Sequence, residues 1–205
     1  MTDHPARLAL ITGASRGLGL ALATALARAG WSLILDARAP EPLVAVREAL
    51  SSLTTVYALP GDVADPAHRR ALAALAGRLG GLDAVVNNAS SLGPSPLPSL
   101  LSYPLAALEA VYRTNVLAPL ALLQDLAASL KPDVRIVNIS SDAAVAAYPG
   151  WGGTSSPSPV RTSRTARFPS RACRACSPCS KGTCRAAATR LVRSGPPQPD
   201  LGRCS

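Results

Sequence analysis

One turn near the start of the chain limits what it can fold into more than any other feature. Leu8-Ala9-Leu10-Ile11 is a short apolar run that breaks into Thr12-Gly13-Ala14-Ser15-Arg16-Gly17-Leu18-Gly19. Apolar residues then recur at helical spacing through Leu20, Ala21, Ala23, Leu26 and Ala27 until Gly30 stops them. A strand that turns over three glycines into a helix opens a βα unit. The glycines allow unusual φ values, and they let backbone N–H groups approach a diphosphate at the positive end of the helix. Two glycines in a βα turn can also serve packing alone. The strand before and the helix after favour the phosphate-binding reading.

The same alternation continues. Ser32–Leu35 reads as a strand, about 41–50 as a helix, Thr54–Leu59 as a strand and Pro66–Leu79 as an Ala/Leu-rich helix. Ala84-Val85-Val86 is a fourth strand. Leu105 to Leu130 carries helical spacing with a kink expected at Pro119, and Arg135–Ile139 is a fifth strand. Strands alternating with helices imply a parallel sheet covered on both faces, an α/β fold. The 205 residues suffice for one domain of ordinary size. No apolar run approaches the roughly 18 residues that cross a bilayer, and Met1–Arg7 is too short for a secretory leader. The expectation is a cytoplasmic protein without membrane contact.

Composition divides the chain in two. Residues 1–153 hold 11 basic and 11 acidic side chains, whereas 154–205 hold 10 basic ones against Asp200 alone, which accounts for the net charge of +9. All five cysteines also lie in the later part, at 173, 176, 179, 184 and 204. From Thr154 on, Arg, Ser, Pro, Ala, Thr and Cys dominate without strand or helix periodicity. Residues 1–153 therefore read as a domain and 154–205 as a disordered basic tail.

Further motifs follow the glycine turn in order. They are Asp62-Val63 after the third strand, Asn87-Asn88-Ala89 after the fourth, Asn115 in Arg113-Thr114-Asn115-Val116, and Ile136-Val137-Asn138-Ile139-Ser140-Ser141. Together with Thr12–Gly19, these resemble the ordered signature of the short-chain dehydrogenase/reductase family. Ser90 stands where that family usually has Gly. The resemblance implies a doubly wound parallel-sheet Rossmann fold with strand order 3-2-1-4-5, incomplete at its C-terminal end. It further implies hydride transfer between a nicotinamide cofactor and a small-molecule carbonyl or alcohol substrate. Gly13, Ser15, Arg16, Gly17, Gly19, Arg38, Asp62, Val63 and Asn88 would bind the cofactor. Ser141 would polarise the substrate oxygen, and Asn115 would hold a proton-relay water.

Cofactor choice has a physical reading. An acidic residue at the end of the second strand accepts from the ribose hydroxyls of NAD. Counting from Gly13 as in the family, that position is Ala37, followed by Arg38. Asp36 is one residue early, which on a strand means the opposite face. Arg38 and Arg16 suit a 2′-phosphate, so NADP is the expected cofactor, with NAD as the alternative.

The resemblance also implies a Tyr-x-x-x-Lys acid/base pair on the next helix, at positions 154 and 158. These are Thr154 and Ser158, and Tyr148 has no Lys in the required place. The pair is missing where the composition changes, as expected if the end of the chain is frameshifted, alternatively spliced or truncated. Thr codons preceded by T spell a Tyr codon in the neighbouring frame, which agrees with a shifted frame. Inactivity is the expectation, and the competing reading is a non-catalytic nucleotide-binding fragment or a product without function. Without a sixth strand, Arg135–Ile139 would be a bare apolar edge prone to aggregation, and a family-type homo-oligomer is doubtful.

The remaining features read plainly. Cys173-x2-Cys176-x2-Cys179-x4-Cys184 approaches a cluster-binding spacing, but its last gap is one residue too long, so no metal is expected. The basic tail shows neither a helical face nor interleaved aromatics, which argues against a nucleic-acid partner. His4 and His68 are isolated and read as surface residues, and Asp142 as a loop or pocket-rim residue.

Overall fold

A computed structural model describes residues 7–141 and 185–190. The chain alternates β1 (Leu8–Ile11), α1 (Gly17–Arg28), β2 (Ser32–Ala37), α2 (Pro40–Leu50), β3 (Val56–Pro60), α3 (Pro66–Arg78) and β4 (Leu82–Asn87). There follow α4 (Leu105–Tyr112), a π-helical turn Arg113–Leu117, α5 (Ala118–Asp125), β5 (Leu130–Ser140) and β6 (Arg185–Arg190). The sheet order is β3-β2-β1-β4-β5-β6, and β1 to β5 are all parallel. The expected order 3-2-1-4-5 is therefore present.

The inner strands β1, β2 and β4 are largely apolar on both faces because helices cover both. Ala9, Ile11, Leu33, Leu35, Ala84 and Val86 pack with Ala23, Ala27, Leu43 and Val46 of α1 and α2. Leu8, Leu10, Ile34, Val85 and Ile136 point the other way, onto Leu72 and Ala76 of α3, Leu122 of α5 and Leu126 just beyond it. A period of two along the strands thus sorts side chains between two cores. At the opposite end from the glycine turn, Asp83 fastens three strands. Its Oδ2 accepts from Leu8 N–H and from Lys131 Nζ, each at 2.8 Å.

Three expectations are corrected. The long helix ends at Asp125 rather than Leu130, and Pro119 is accommodated by the π turn before it. A proline at 119 has no N–H for the carbonyl four residues back, that of Asn115, and its ring crowds that carbonyl in a regular α-helix. The wider turn relieves this, with Ala118 N–H donating to Arg113 O. Next, β5 begins at Leu130, before the polar Lys131-Pro132-Asp133, with its register against β4 shifted between Leu82 and Ala84. Last, the edge of β5 is not bare, since Arg185–Arg190 pairs with it antiparallel from Arg135↔Arg190 to Ser140↔Arg185. Backbone N–H and C=O groups on an open edge will pair with any extended segment. Arg185-Ala-Ala-Ala-Thr-Arg190 carries no alternation that could have marked it as a strand. The rest of the tail, with the five cysteines, Thr154 and Ser158, lies outside the described residues, as do His4, Asp142 and Tyr148.

Candidate nucleotide-binding site

The carboxyl ends of β1 to β4 surround a cleft of about 410 Å³. Gly13, Ser15 and Arg16 line it after β1. Asp36 to Ala39 contribute from the end of β2, Gly61 to Val63 from beyond β3, and Asn88 to Ser90 from beyond β4. Thr114 reaches it from the π turn. Open α/β sheets bind ligands outside the carboxyl ends of their strands, where the direction of winding reverses. That reversal lies between β1 and β4, beside the glycine turn.

The turn is fixed from three sides. Thr12 Oγ1 accepts from the N–H groups of Asn88 and Ala89, both at 3.0 Å. Asn88 Nδ2 donates to the carbonyls of Thr12 (2.9 Å) and Gly13 (3.1 Å). Ala14 N–H donates to the Asp36 carbonyl at 2.9 Å. These bonds leave no room for side chains at two glycines. Gly13 has φ +66°, and a Cβ there would lie 2.9 Å from Ala89 Cα. A Cβ on Gly19 would run into the carbonyl oxygen of Gly13.

Gly17 differs, because it opens α1 at φ +57° with free space around it. No side chain caps α1, and its first turn holds no acidic residue. Uncapped N–H groups beside open space are what a dinucleotide diphosphate needs, so the turn fits such a cofactor. Arg16 and Arg38 are exposed at the cleft, and neither is ion-paired among the described residues. The lip after β3 is held from behind. Arg69 donates to the carbonyls of Val63 and Ala64, each at 3.0 Å, and pairs with Asp125 at 3.1 Å. Asp62 Oδ1 accepts from Ala64 N–H, closing a local turn.

Of the residues expected at the site, Gly13, Ser15, Arg16, Arg38, Asp62, Val63 and Asn88 line this single cleft. Gly17 and Gly19 stand just behind, in the first turn of α1. Asn115 lies in the π turn and ties down the neighbouring loop, its side-chain amide accepting from Ser91 N–H and donating to Ser91 C=O, both at 2.8 Å. Ser141 directly follows β5, on the same edge of the sheet, and is exposed. Asp36 faces away from Ala37 as expected, bonded to α3 rather than to α1 and α2.

The surface reading of His68 is corrected. His68 is buried, with Nε2 2.6 Å from Asp36 Oδ1 and its ring stacked over Gly61, where no Cβ fits. Burial raises the Asp36 carboxyl above its ordinary value, against the pull of His68 and of a hydrogen bond from Gly13 N–H. Asp36, His68 and Arg69, which brace the walls of the cleft, belong to none of the motifs. Among the described residues no cluster of His, Cys, Asp or Glu could hold a metal, and no helix is long and apolar enough to cross a membrane.

Known proteins share this arrangement. The short chain dehydrogenase family model matches residues 7–156. The 3-oxoacyl-acyl-carrier-protein reductase of rhamnolipid biosynthesis from Pseudomonas aeruginosa is 36% identical over 148 residues, covering 69% of this chain and 57% of that protein. The 1-deoxy-11-beta-hydroxypentalenate dehydrogenase of Streptomyces avermitilis is 35% identical over 150 residues, covering 72% and 55%. Among solved structures, an alcohol dehydrogenase from the archaeon Thermococcus sibiricus complexed with 5-hydroxy-NADP superposes with a TM-score of 0.68 at 30% identity, over 74% of this chain and 65% of that one. The Pseudomonas aeruginosa RhlG/NADP active-site complex gives 0.65 at 32% identity, over 74% and 62%. The chain spans a little over half the length of the two curated relatives. The match covers the glycine turn, the strand order and the cleft together, and on that ground the chain belongs to the short-chain dehydrogenase/reductase family.

Proposed function

We propose that residues 1–153 form the dinucleotide-binding domain of a short-chain reductase, that the cleft takes NADP(H), and that the chain as written does not turn over a carbonyl or alcohol. The observation that carries this reading is the open, uncapped glycine turn flanked by two exposed arginines. Arg16 and Arg38 would hold a 2′-phosphate, and N–H groups from Ser15 to Gly19 the diphosphate. Asp62 and Val63 would hold the adenine and Asn88 the adjoining ribose. The 5-hydroxy-NADP and NADP held by the two similar structures support the nucleotide class.

When bound, the nicotinamide supplies or accepts the hydride. The chain's own part is to position a substrate oxygen at Ser141, to keep the loop of Ser91 in register through Asn115, and to move a proton. For that last task the family uses Tyr and Lys, where this chain has Thr154 and Ser158. Loss of a positioned general acid costs about 10²–10⁴-fold in rate. A cytoplasmic location belongs to the same proposal.

The test is a titration of the purified chain with NADPH, followed by nucleotide oxidation, beside a panel of aldehydes and ketones. Saturable binding with turnover at background is the expected outcome. Absence of binding overturns the nucleotide reading. Vigorous oxidation overturns the inactivity and means that another group supplies the proton.

A further inference from the structure

The sheet ends on one side at β3, and among the described residues no strand pairs with its outer edge. Leu33 N–H donates to Thr55 C=O, and Gly61 N–H donates to Ala37 C=O. The odd-numbered residues from 55 to 61 therefore turn their backbone groups toward β2. Val56, Ala58 and Pro60 turn theirs outward, offering the N–H groups of Val56 and Ala58 and the C=O groups of all three. This edge lines a slot of about 530 Å³ that shares no residue with the nucleotide cleft. Ala71, Ala74 and Leu75 of α3 line it from one side of the sheet, and Arg47 of α2 from the other. Arg78, the last residue of α3, lines it too, and no acidic side chain does. Both arginines are exposed. Arg47 meets its exposed neighbour Glu48 at 3.6 Å, a weak pair, and Arg78 has no ion-pair partner among the described residues.

We propose that this slot docks an extended, acidic segment of a partner protein, which adds to the sheet as a strand beside β3. The proposal is independent of the nucleotide reading. Backbone chemistry selects a peptide. An apolar ligand filling the slot would strip water from the outward N–H and C=O groups and leave them without partners, whereas an added strand supplies those partners. Side chains along such a strand alternate between the faces of the sheet, so one set meets Ala71, Ala74 and Leu75 and the other lies on the side of Arg47. Charge selects the sequence. Arg47 and Arg78 lie in the last turns of α2 and α3, which return the chain from the carboxyl to the amino end of the sheet, so both guanidinium groups flank the Val56 end of the slot. They attract carboxylates and repel a basic segment. That excludes the chain's own residues 154–205, where Asp200 stands alone against 10 basic side chains. It also disfavours a second copy pairing β3 with β3, which would bring the same arginines together.

The full chain is titrated, by fluorescence anisotropy, against a labelled, end-blocked peptide Glu-Val-Thr-Val-Thr-Val-Glu, which is β-branched and acidic at both ends. Saturable binding that weakens with added salt is expected, and replacing both Glu by Lys should weaken it by about tenfold or more. Arg47→Glu combined with Arg78→Glu should reverse the preference, so that the lysine peptide binds more tightly than the acidic one. Ala58→Pro removes one outward N–H and leaves the ladder to β2 intact, and it should weaken the acidic peptide by about fivefold or more. Should that variant fail to fold by circular dichroism, a peptide methylated at its backbone nitrogens makes the same test from the other side. No binding of the acidic peptide, equal binding of the lysine peptide, or no loss when the backbone pairing is blocked overturns the proposal. Self-association by light scattering that Ala58→Pro abolishes would place a second copy in the slot, and the acidic-segment reading would fall.

Discussion

Thr12→Val is the sharpest test of how the glycine turn is held. The substitution keeps the shape of the side chain and removes one oxygen. That oxygen accepts from two backbone N–H groups, of Asn88 and Ala89, at 3.0 Å each, in a residue only 1% exposed. Valine offers no acceptor, and the buried position leaves little room for water. Each buried donor left without a partner costs about 1–3 kcal/mol. Both sites are partly rather than fully enclosed, so the lower half of that range applies, giving about 2–4 kcal/mol for the pair. A domain of this size is stable by only about 5–15 kcal/mol, so the loss is a large fraction. Thr12→Ser is the control, since it keeps the oxygen and gives up one methyl, worth about 0.8 kcal/mol. Urea unfolding followed by circular dichroism measures both variants. Thr12→Val is expected to lower the midpoint well below Thr12→Ser with little change in slope. If the two variants unfold together, the two N–H bonds do not hold the turn and the reasoning is wrong.

Two further outcomes follow from the same geometry. Gly19→Ala should weaken NADPH binding by about tenfold or more, because its Cβ meets a backbone carbonyl that cannot swing away, whereas Gly17→Ala meets only open space and should cost about 1 kcal/mol of backbone strain; isothermal titration compares them, and equal effects would contradict the packing argument. Asp36 gives a pH prediction: burial raises its native value above 3.8, so its contribution to stability is complete below that pH and falls as pH rises through the native value. The stability of the wild type relative to Asp36→Asn should therefore decline as pH increases from about 3.8, and urea midpoints that stay parallel or diverge the other way would refute it.

The sheet was readable because its information is local. Leu8–Ile11 and Ala84–Val86 are apolar on both faces, and the glycines of 12–19 act through the backbone, so neither depends on a distant partner. Contacts made by polar side chains were less legible. His68 was read as a surface residue because it is a lone histidine, yet it continues a stripe with Leu72 and Ala76 at helical spacing, and Arg69 is buried beside it. Periodicity held the signal, and residue type masked it. Asn115 shows a different limit. Its motif marked it, but its bonds to Ser91 depend on how a π turn rotates the helix, and Pro119 is the visible trace of that turn. For β6 there was no pattern to find, since an edge strand held by backbone pairing needs none.

These differences separate binding from chemistry. Apart from Thr114, the residues of the cleft come from the ends of β1 to β4 and the start of α2, elements whose apolar residues also make up much of both cores. A chain that folds at all must bring those ends together, so the proposed nucleotide pocket is a consequence of the fold. The groups that the proposal assigns to catalysis are supplied one at a time from further along the chain. Asn115 comes from the π turn, Ser141 from the end of β5, and the proton donor from a position where the sequence holds Thr154. None of these later groups supports the core that shapes the cleft, so changing them leaves the pocket standing. Retained binding with absent turnover is therefore the behaviour this distribution of residues favours. A chain altered in the opposite sense, with the family's Tyr and Lys present but Thr12 or Gly19 replaced, should keep its proton donor and lose the surface that holds the nucleotide.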